Sequence, residues 1–91
     1  MDLKDYRNQI DEIDDALVQL FAKRMEVSAQ IADYKKANGL PIYVPARERA
    51  ILKDVAEKAG PEMANYTRVL YSMLFELSRS YQSKRTSQLT E

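Results

Sequence analysis

Fourteen basic and fourteen acidic side chains cancel across 91 residues, a balance that argues against nucleic acid or an anionic membrane surface as partner. Neither cysteine nor histidine occurs, so disulfides, thiolate chemistry, the usual zinc and haem ligands and Ser-His or Cys-His catalytic pairs are all lacking. No apolar run reaches membrane-spanning length and the first five residues do not read as a secretory leader, which gives the expectation of one small cytoplasmic domain over residues 1–91.

The first element is written in a 3-4 alternation. Leu3, Tyr6, Ile10, Ile13, Leu17, Leu20, Arg24, Val27, Ile31 and Tyr34 fall on one stripe of a single long helix. Nine of the ten are apolar and one is arginine. A guanidinium in such a seam is costly to bury without an anion beside it. No Asp or Glu shares the stripe, so a ligand is one candidate for that anion.

Asn38-Gly39-Leu40-Pro41 closes this helix, with Gly39 suited to a left-handed cap and Pro41 blocking continuation. Pro45 suits the first turn of a second, short helix whose inner face is Ile51, Leu52, Val55, Ala56 and Ala59. Gly60-Pro61 repeats the stop-and-start signal. A third, medium helix is expected from about Glu62 to Ser83, with Met63, Tyr66, Leu70, Met73, Leu74, Leu77 and Tyr81 inward. Residues 84–91 read as a polar, fraying tail, leaving an ordered core over about 3–83. No strand pattern appears, and the fold class is all-α.

Length sets a further constraint. A first helix of about 35 residues is roughly 50 Å long, whereas a compact globule of this size is only about 30 Å across. The apolar stripe therefore overhangs its own chain, and a two-fold homodimer with paired long helices is the simplest cover.

Polar residues recur on the inward-looking side. Lys35 lies three helical turns from Arg24, about 16 Å along the axis and nearly in line with it, so the two can grip one small dianion. Arg7 lies about 25 Å from Arg24 and can reach such a ligand only from a partner chain. Glu48 follows Arg47 in the first turn of the second helix, where the dipole favours an ionised carboxylate. Ser78 and Gln82 form an i, i+4 pair. This set has no nucleophile with a base beside it; it suits electrostatic work on a compact polyanion.

The ordered pattern Arg7-x-x-Ile10-x-x-Ile13-Asp14, Leu20-Phe21-Ala22-x-Arg24, Ile31-Ala32-x-Tyr34-Lys35, Pro41-Ile42-Tyr43, Arg47-Glu48 and Glu76-x-Ser78-x-x-x-Gln82 resembles the all-helical (type II) chorismate mutases. Those are small intertwined homodimers of three helices per protomer, and the similarity covers about residues 3–83. The resemblance implies the [3,3] rearrangement of chorismate to prephenate, toward phenylalanine and tyrosine, with no cofactor and no metal. It implies that Arg24 and the other protomer's Arg7 hold the substrate carboxylates, assisted by Arg47 and Ser78. Lys35 and Gln82 would donate to the ether oxygen, and Glu48 would accept from the ring hydroxyl.

One position departs from the pattern. Many relatives carry Asp just before the second helix, where this chain has Val44, which has no side-chain acceptor to cap the helix. The backbone amide that the resemblance places at the substrate hydroxyl is retained. A looser helix start and weaker substrate binding are expected, with activity kept.

Taken singly, these residues have ordinary readings: a seam arginine paired across an interface, solvated helix charges, first-turn polar residues. Arg49, Arg68, Arg79 and Arg85 read as solvated charges. Two other functions use the same sequence features. An isochorismate-pyruvate lyase shares the fold, but such enzymes tend to lose the acid after the second-helix arginine, and Glu48 is present. A non-catalytic dimerisation module has no need of Arg24, Lys35, Glu48 and Gln82 together. A pathway-enzyme partner is compatible with either catalytic reading.

Overall fold

A computed structural model describes residues 1–90, with side chains described through residue 87. It contains three helices, α1 (Leu3–Ala37), α2 (Pro45–Ala59) and α3 (Ala64–Thr90), the long, short and medium order expected of an all-α chain. None of them is long and apolar enough to cross a membrane.

Each boundary has a local cause. Asp2 caps α1 by accepting from the Asp5 N–H at 3.0 Å, while the Asp5 carboxylate accepts from the Asp2 N–H at 3.1 Å, a reciprocal capping box. At the far end Gly39 takes φ +64°, and the Leu40 N–H donates back to the Lys35 carbonyl at 2.9 Å. A Cβ disfavours that left-handed backbone, so glycine suits the position. Pro45 opens α2 at its first turn, and Val44 supplies no side-chain cap. Gly60, at φ +85° and ψ 164°, occupies a region available essentially to glycine alone. A turn over 61–63 then delays α3 to Ala64, two residues beyond the expected start.

Packing is organised around α3. It lies against both α1 and α2, while α1 and α2 do not pack directly on each other. Small residues permit the close approach: Ser28, Ala29 and Ala32 are the buried residues of α1, and Ala56 is that of α2. Phe75 completes the buried apolar set, and no large side chain is fully buried among the described residues.

Two features of α3 differ from expectation. Its packed face carries Ala64, Thr67, Tyr71, Leu74, Phe75, Ser78 and Gln82, whereas Tyr66, Leu70, Met73, Leu77 and Tyr81, and Met63 in the preceding turn, are exposed. Those apolar side chains occupy the neighbouring stripe, turned away from α1 and α2. The helix also runs past Ser83 through the supposed tail. The Arg85 guanidinium forks onto the Asp33 carboxylate at 3.0 and 3.1 Å, and the Thr86 hydroxyl bonds back to the Gln82 and Ser83 carbonyls. Glu91, the last tail residue, lies outside the described residues.

The molecule measures 54 × 28 × 14 Å with a radius of gyration of 16.4 Å, against about 12 Å for a compact chain of this length. The first half of α1 projects beyond the other helices. Its stripe is open to solvent, with Ile10 55% and Leu17 54% exposed.

Candidate functional site

The gap between α1 and α2, floored by α3, is a cavity of about 680 Å³, within the usual range for small-molecule sites. Seven of the eight residues singled out in the sequence line it: Arg24, Lys35, Val44, Arg47, Glu48, Ser78 and Gln82. Arg7 does not, because it lies seventeen positions before Arg24, on the projecting half of α1. Leu20, Val27, Ile31, Ile42, Ile51 and Phe75 supply apolar walls.

Helical spacing explains the convergence. Arg24, Ser28, Ile31 and Lys35 recur at intervals of three and four along α1, as Phe75, Ser78 and Gln82 do along α3. The Arg24 guanidinium carbon sits 5.8 Å from the Tyr71 ring centre and 6.0 Å from that of Phe75, and the two rings meet edge to face. Aromatic faces stabilise the cation there, yet Arg24 has no carboxylate partner among the described residues. Lys35 Nζ donates to the Ile42 carbonyl at 2.9 Å, pinning the α1–α2 connection to the cavity wall. An ammonium has three protons, so two remain for a ligand.

The floor is polar. Ser78 Oγ donates to Ser28 Oγ at 2.9 Å, and Gln82 Nε2 donates to Ser78 Oγ at 3.0 Å. All three residues are buried. Gln82 Oε1 is buried without a partner among the described residues. Turning the amide by half a turn lets the Ser78 hydroxyl donate to Oε1 and moves the NH2 into the unpaired direction. In either orientation one Gln82 amide atom lacks a protein partner.

Two expectations about arginines are corrected here. Arg79 and Arg85 are not solvated charges: Arg85 bridges to Asp33, and Arg79 lines the cavity and pairs with Glu48. The Arg79 guanidinium also lies 4.8 Å from the Tyr43 ring centre. Its hydrogen bond to Glu48 holds Arg79 protonated above the ordinary arginine range, against the opposing effect of burial. The signal for Arg79 was its place four residues after Phe75 and three before Gln82. Lys23 and Ser28, also in the lining, flank Arg24 on α1.

Val44 lies at the mouth of α2, its carbonyl accepting from the Arg47 and Glu48 N–H groups at 3.1 and 3.2 Å. Its own N–H makes no hydrogen bond among the described residues. Five cationic side chains and one carboxylate face the cavity. With Arg79 neutralising Glu48, four positive charges remain in a partly apolar setting, where attraction to an anion is stronger than in water.

An all-helical chain whose cationic cavity pairs no serine or lysine with a base among the described residues suits binding and polarising a small polyanion. Residues 6–83 match the family model for type II chorismate mutases, and the chain belongs to that family. A stretch of 61 residues, 64% of this chain, is 52% identical to the T-protein of Haemophilus influenzae, of which it covers 16%. Another, of 54 residues or 59% of the chain, is 37% identical to a bifunctional chorismate mutase/prephenate dehydratase of Aquifex aeolicus, covering 15% of it. A chorismate mutase of Methanocaldococcus jannaschii is 39% identical over 49 residues, 54% of this chain and half of that protein. The matched stretches thus span half or less of the length of these relatives. No solved structure gives a significant match.

Proposed function

We propose that this chain is a chorismate mutase, rearranging chorismate to prephenate without a covalent intermediate, in aromatic amino acid biosynthesis. The observation that carries the reading is Arg24, a guanidinium set against the Tyr71 and Phe75 rings in a cationic cavity with no carboxylate partner among the described residues. A substrate with two carboxylates, an ether oxygen and a ring hydroxyl matches that donor set.

In this reading Arg24 and Arg47 bind carboxylate, with Ser78 assisting, and so hold a flexible diacid in its reactive chair. Lys35 and Gln82 donate to the ether oxygen, where negative charge grows as the C–O bond breaks. The unpaired Gln82 amide atom supports this role, because buried polar atoms are nearly always paired and the turned amide offers its NH2 to a ligand. Glu48 and the Val44 N–H meet the ring hydroxyl.

The site is completed by a second copy of the chain. Support comes from the exposed apolar stripe of α1 and from the distance between Arg7 and the cavity. In an antiparallel pairing the partner copy covers the stripe and brings its own arginine 7 to the substrate. Arg7→Ala and Arg24→Ala homodimers are then both poor, while mixing them restores one intact pocket per heterodimer. A mixture without recovered activity would refute the action in trans.

The direct test is chorismate consumption by purified protein, with prephenate identified by its acid conversion to phenylpyruvate. Turnover that collapses in Arg24→Ala supports the assignment. No turnover with chorismate, or turnover indifferent to Arg24→Ala, refutes it.

A further inference from the structure

We propose that Arg79 is a positioning residue that aims the Glu48 carboxylate at the ligand and ties that carboxylate to the α1–α2 connection. The inference rests on the mutase reading and extends it to a residue outside the matching motif.

Three observations converge on Arg79. Its guanidinium Nη1 donates to one Glu48 oxygen, Oε2, and the other, Oε1, accepts no hydrogen bond among the described residues. A carboxylate held by one oxygen keeps the second free as an acceptor, with its direction set by the bond to the first. The same guanidinium stacks 4.8 Å from the Tyr43 ring centre. Tyr43 directly follows Ile42, whose carbonyl is held by Lys35. The connection is therefore gripped from α1 at Ile42 and from α3 at Tyr43.

Position in the chain makes the arrangement economical. Arg79 is the neighbour of Ser78, so one turn of α3 supplies both a floor hydroxyl and the group that orients a wall carboxylate. The Arg79 and Glu48 side chains are 31% and 22% exposed, so the pair is partly shielded from water. Without Arg79, Glu48 would stand among Arg24, Lys35 and Arg47 with nothing fixing which of them it meets. A carboxylate that swings onto Arg47 or Lys35 removes a hydroxyl acceptor and a carboxylate donor together.

The hydroxyl contact is made in the ground state as well as the transition state, so its loss falls mainly on KM. The experiment measures kcat and KM with chorismate for wild type, Arg79→Met, Arg79→Lys, Arg79→Gln, Glu48→Ala and the double variant Glu48→Ala/Arg79→Met, each checked by thermal melting. Arg79→Met is expected to lower kcat/KM by about 10-fold or more, chiefly through KM, with partial recovery in Arg79→Lys. In the Glu48→Ala background the same change should cost less than about twofold, because the group it aims is gone.

An unchanged Arg79→Met, or an equal loss with and without Glu48, overturns the proposal and leaves a packing role. If Arg79→Met does not fold, Lys against Gln at position 79 reads the same contrast between a charged and an uncharged donor. A wild-type protein without turnover overturns the mutase reading and this inference with it. Normal wild-type turnover with an indifferent Arg79 overturns the inference alone.

Discussion

Ser78 Oγ donates to Ser28 Oγ at 2.9 Å across the buried junction of α1 and α3, joining residues fifty positions apart. Among the described residues the buried apolar side chains of α1 and α3 are Ala29, Ala32 and Phe75, so contact area alone gives this junction little directional preference. The hydroxyl pair, extended by Gln82, fixes the register of the two helices.

Ser28→Ala is therefore predicted to destabilise the fold by about 1 kcal/mol. Ser78 loses its acceptor but regains one when the Gln82 amide turns to present Oε1 to the Ser78 hydroxyl, which keeps the cost near the value of one hydrogen bond. Urea unfolding at fixed protein concentration reads the effect as a lower midpoint. An unchanged midpoint would mean that this hydroxyl contributes nothing to the junction.

Val44 opens α2 at φ −127° and ψ 88° with no side-chain cap. An aspartate there can accept from the Ala46 N–H, since Pro45 has none and the Arg47 and Glu48 N–H groups already donate to the Val44 carbonyl, and it also interacts favourably with the helix dipole. Val44→Asp is predicted to raise the melting temperature, by about 1 kcal/mol of added stability. A melting temperature equal to or below that of wild type would remove the capping argument.

Stability should respond to alkaline rather than neutral pH. The hydrogen bond and attraction to Asp54 raise Lys58 above its ordinary value of 10.5, and Glu48 and Asp33 do the same for Arg79 and Arg85. A basic group with a raised folded pKa contributes stability fully below its unfolded value and loses it as pH rises through the folded one. The difference in melting temperature between wild type and Lys58→Met should thus stay constant from about pH 6 to 9 and close above about pH 10.5. A difference that already closes between pH 6 and 9 would contradict the Lys58–Asp54 pairing at 2.7 Å.

Helix order, the Gly39 and Gly60 breaks and the Pro45 start were legible because each depends on local backbone chemistry. So was most of the cavity: spacing of three and four put Arg24 and Lys35 on one face of α1, and Ser78 and Gln82 on one face of α3. The orientation of α3 was not legible. Its apolar residues form two adjacent stripes, and the more polar one, with Ser78 and Gln82, turns inward within the chain. Periodicity shows that both faces have apolar character but does not say which meets α1. Arg79 and Arg85 were misread for a related reason. A charged residue at the margin of a helical stripe is indistinguishable from a solvated one until its partner is known, and Glu48 and Asp33 lie on other helices.

The most direct consequence for chemistry concerns Lys35 and Gln82, one on each side of the cavity. Each is proposed to donate to the ether oxygen, and removing one donor from a developing oxyanion commonly costs about 100-fold or more in turnover. Lys35→Ala and Gln82→Ala should both fall by that order, but with different side effects. Lys35→Ala also frees the Ile42 carbonyl, so it should increase hydrogen exchange over residues 40–44. Gln82→Ala gives up the hydrogen bond to Ser78 Oγ, a cost of about 1 kcal/mol, together with an Oε1 that has no partner among the described residues, so its stability loss should be modest beside its activity loss. A Gln82→Ala variant that retains near-wild-type kcat would remove the amide from the site, and a Lys35→Ala variant that does so would leave the lysine as a clamp on the connection alone.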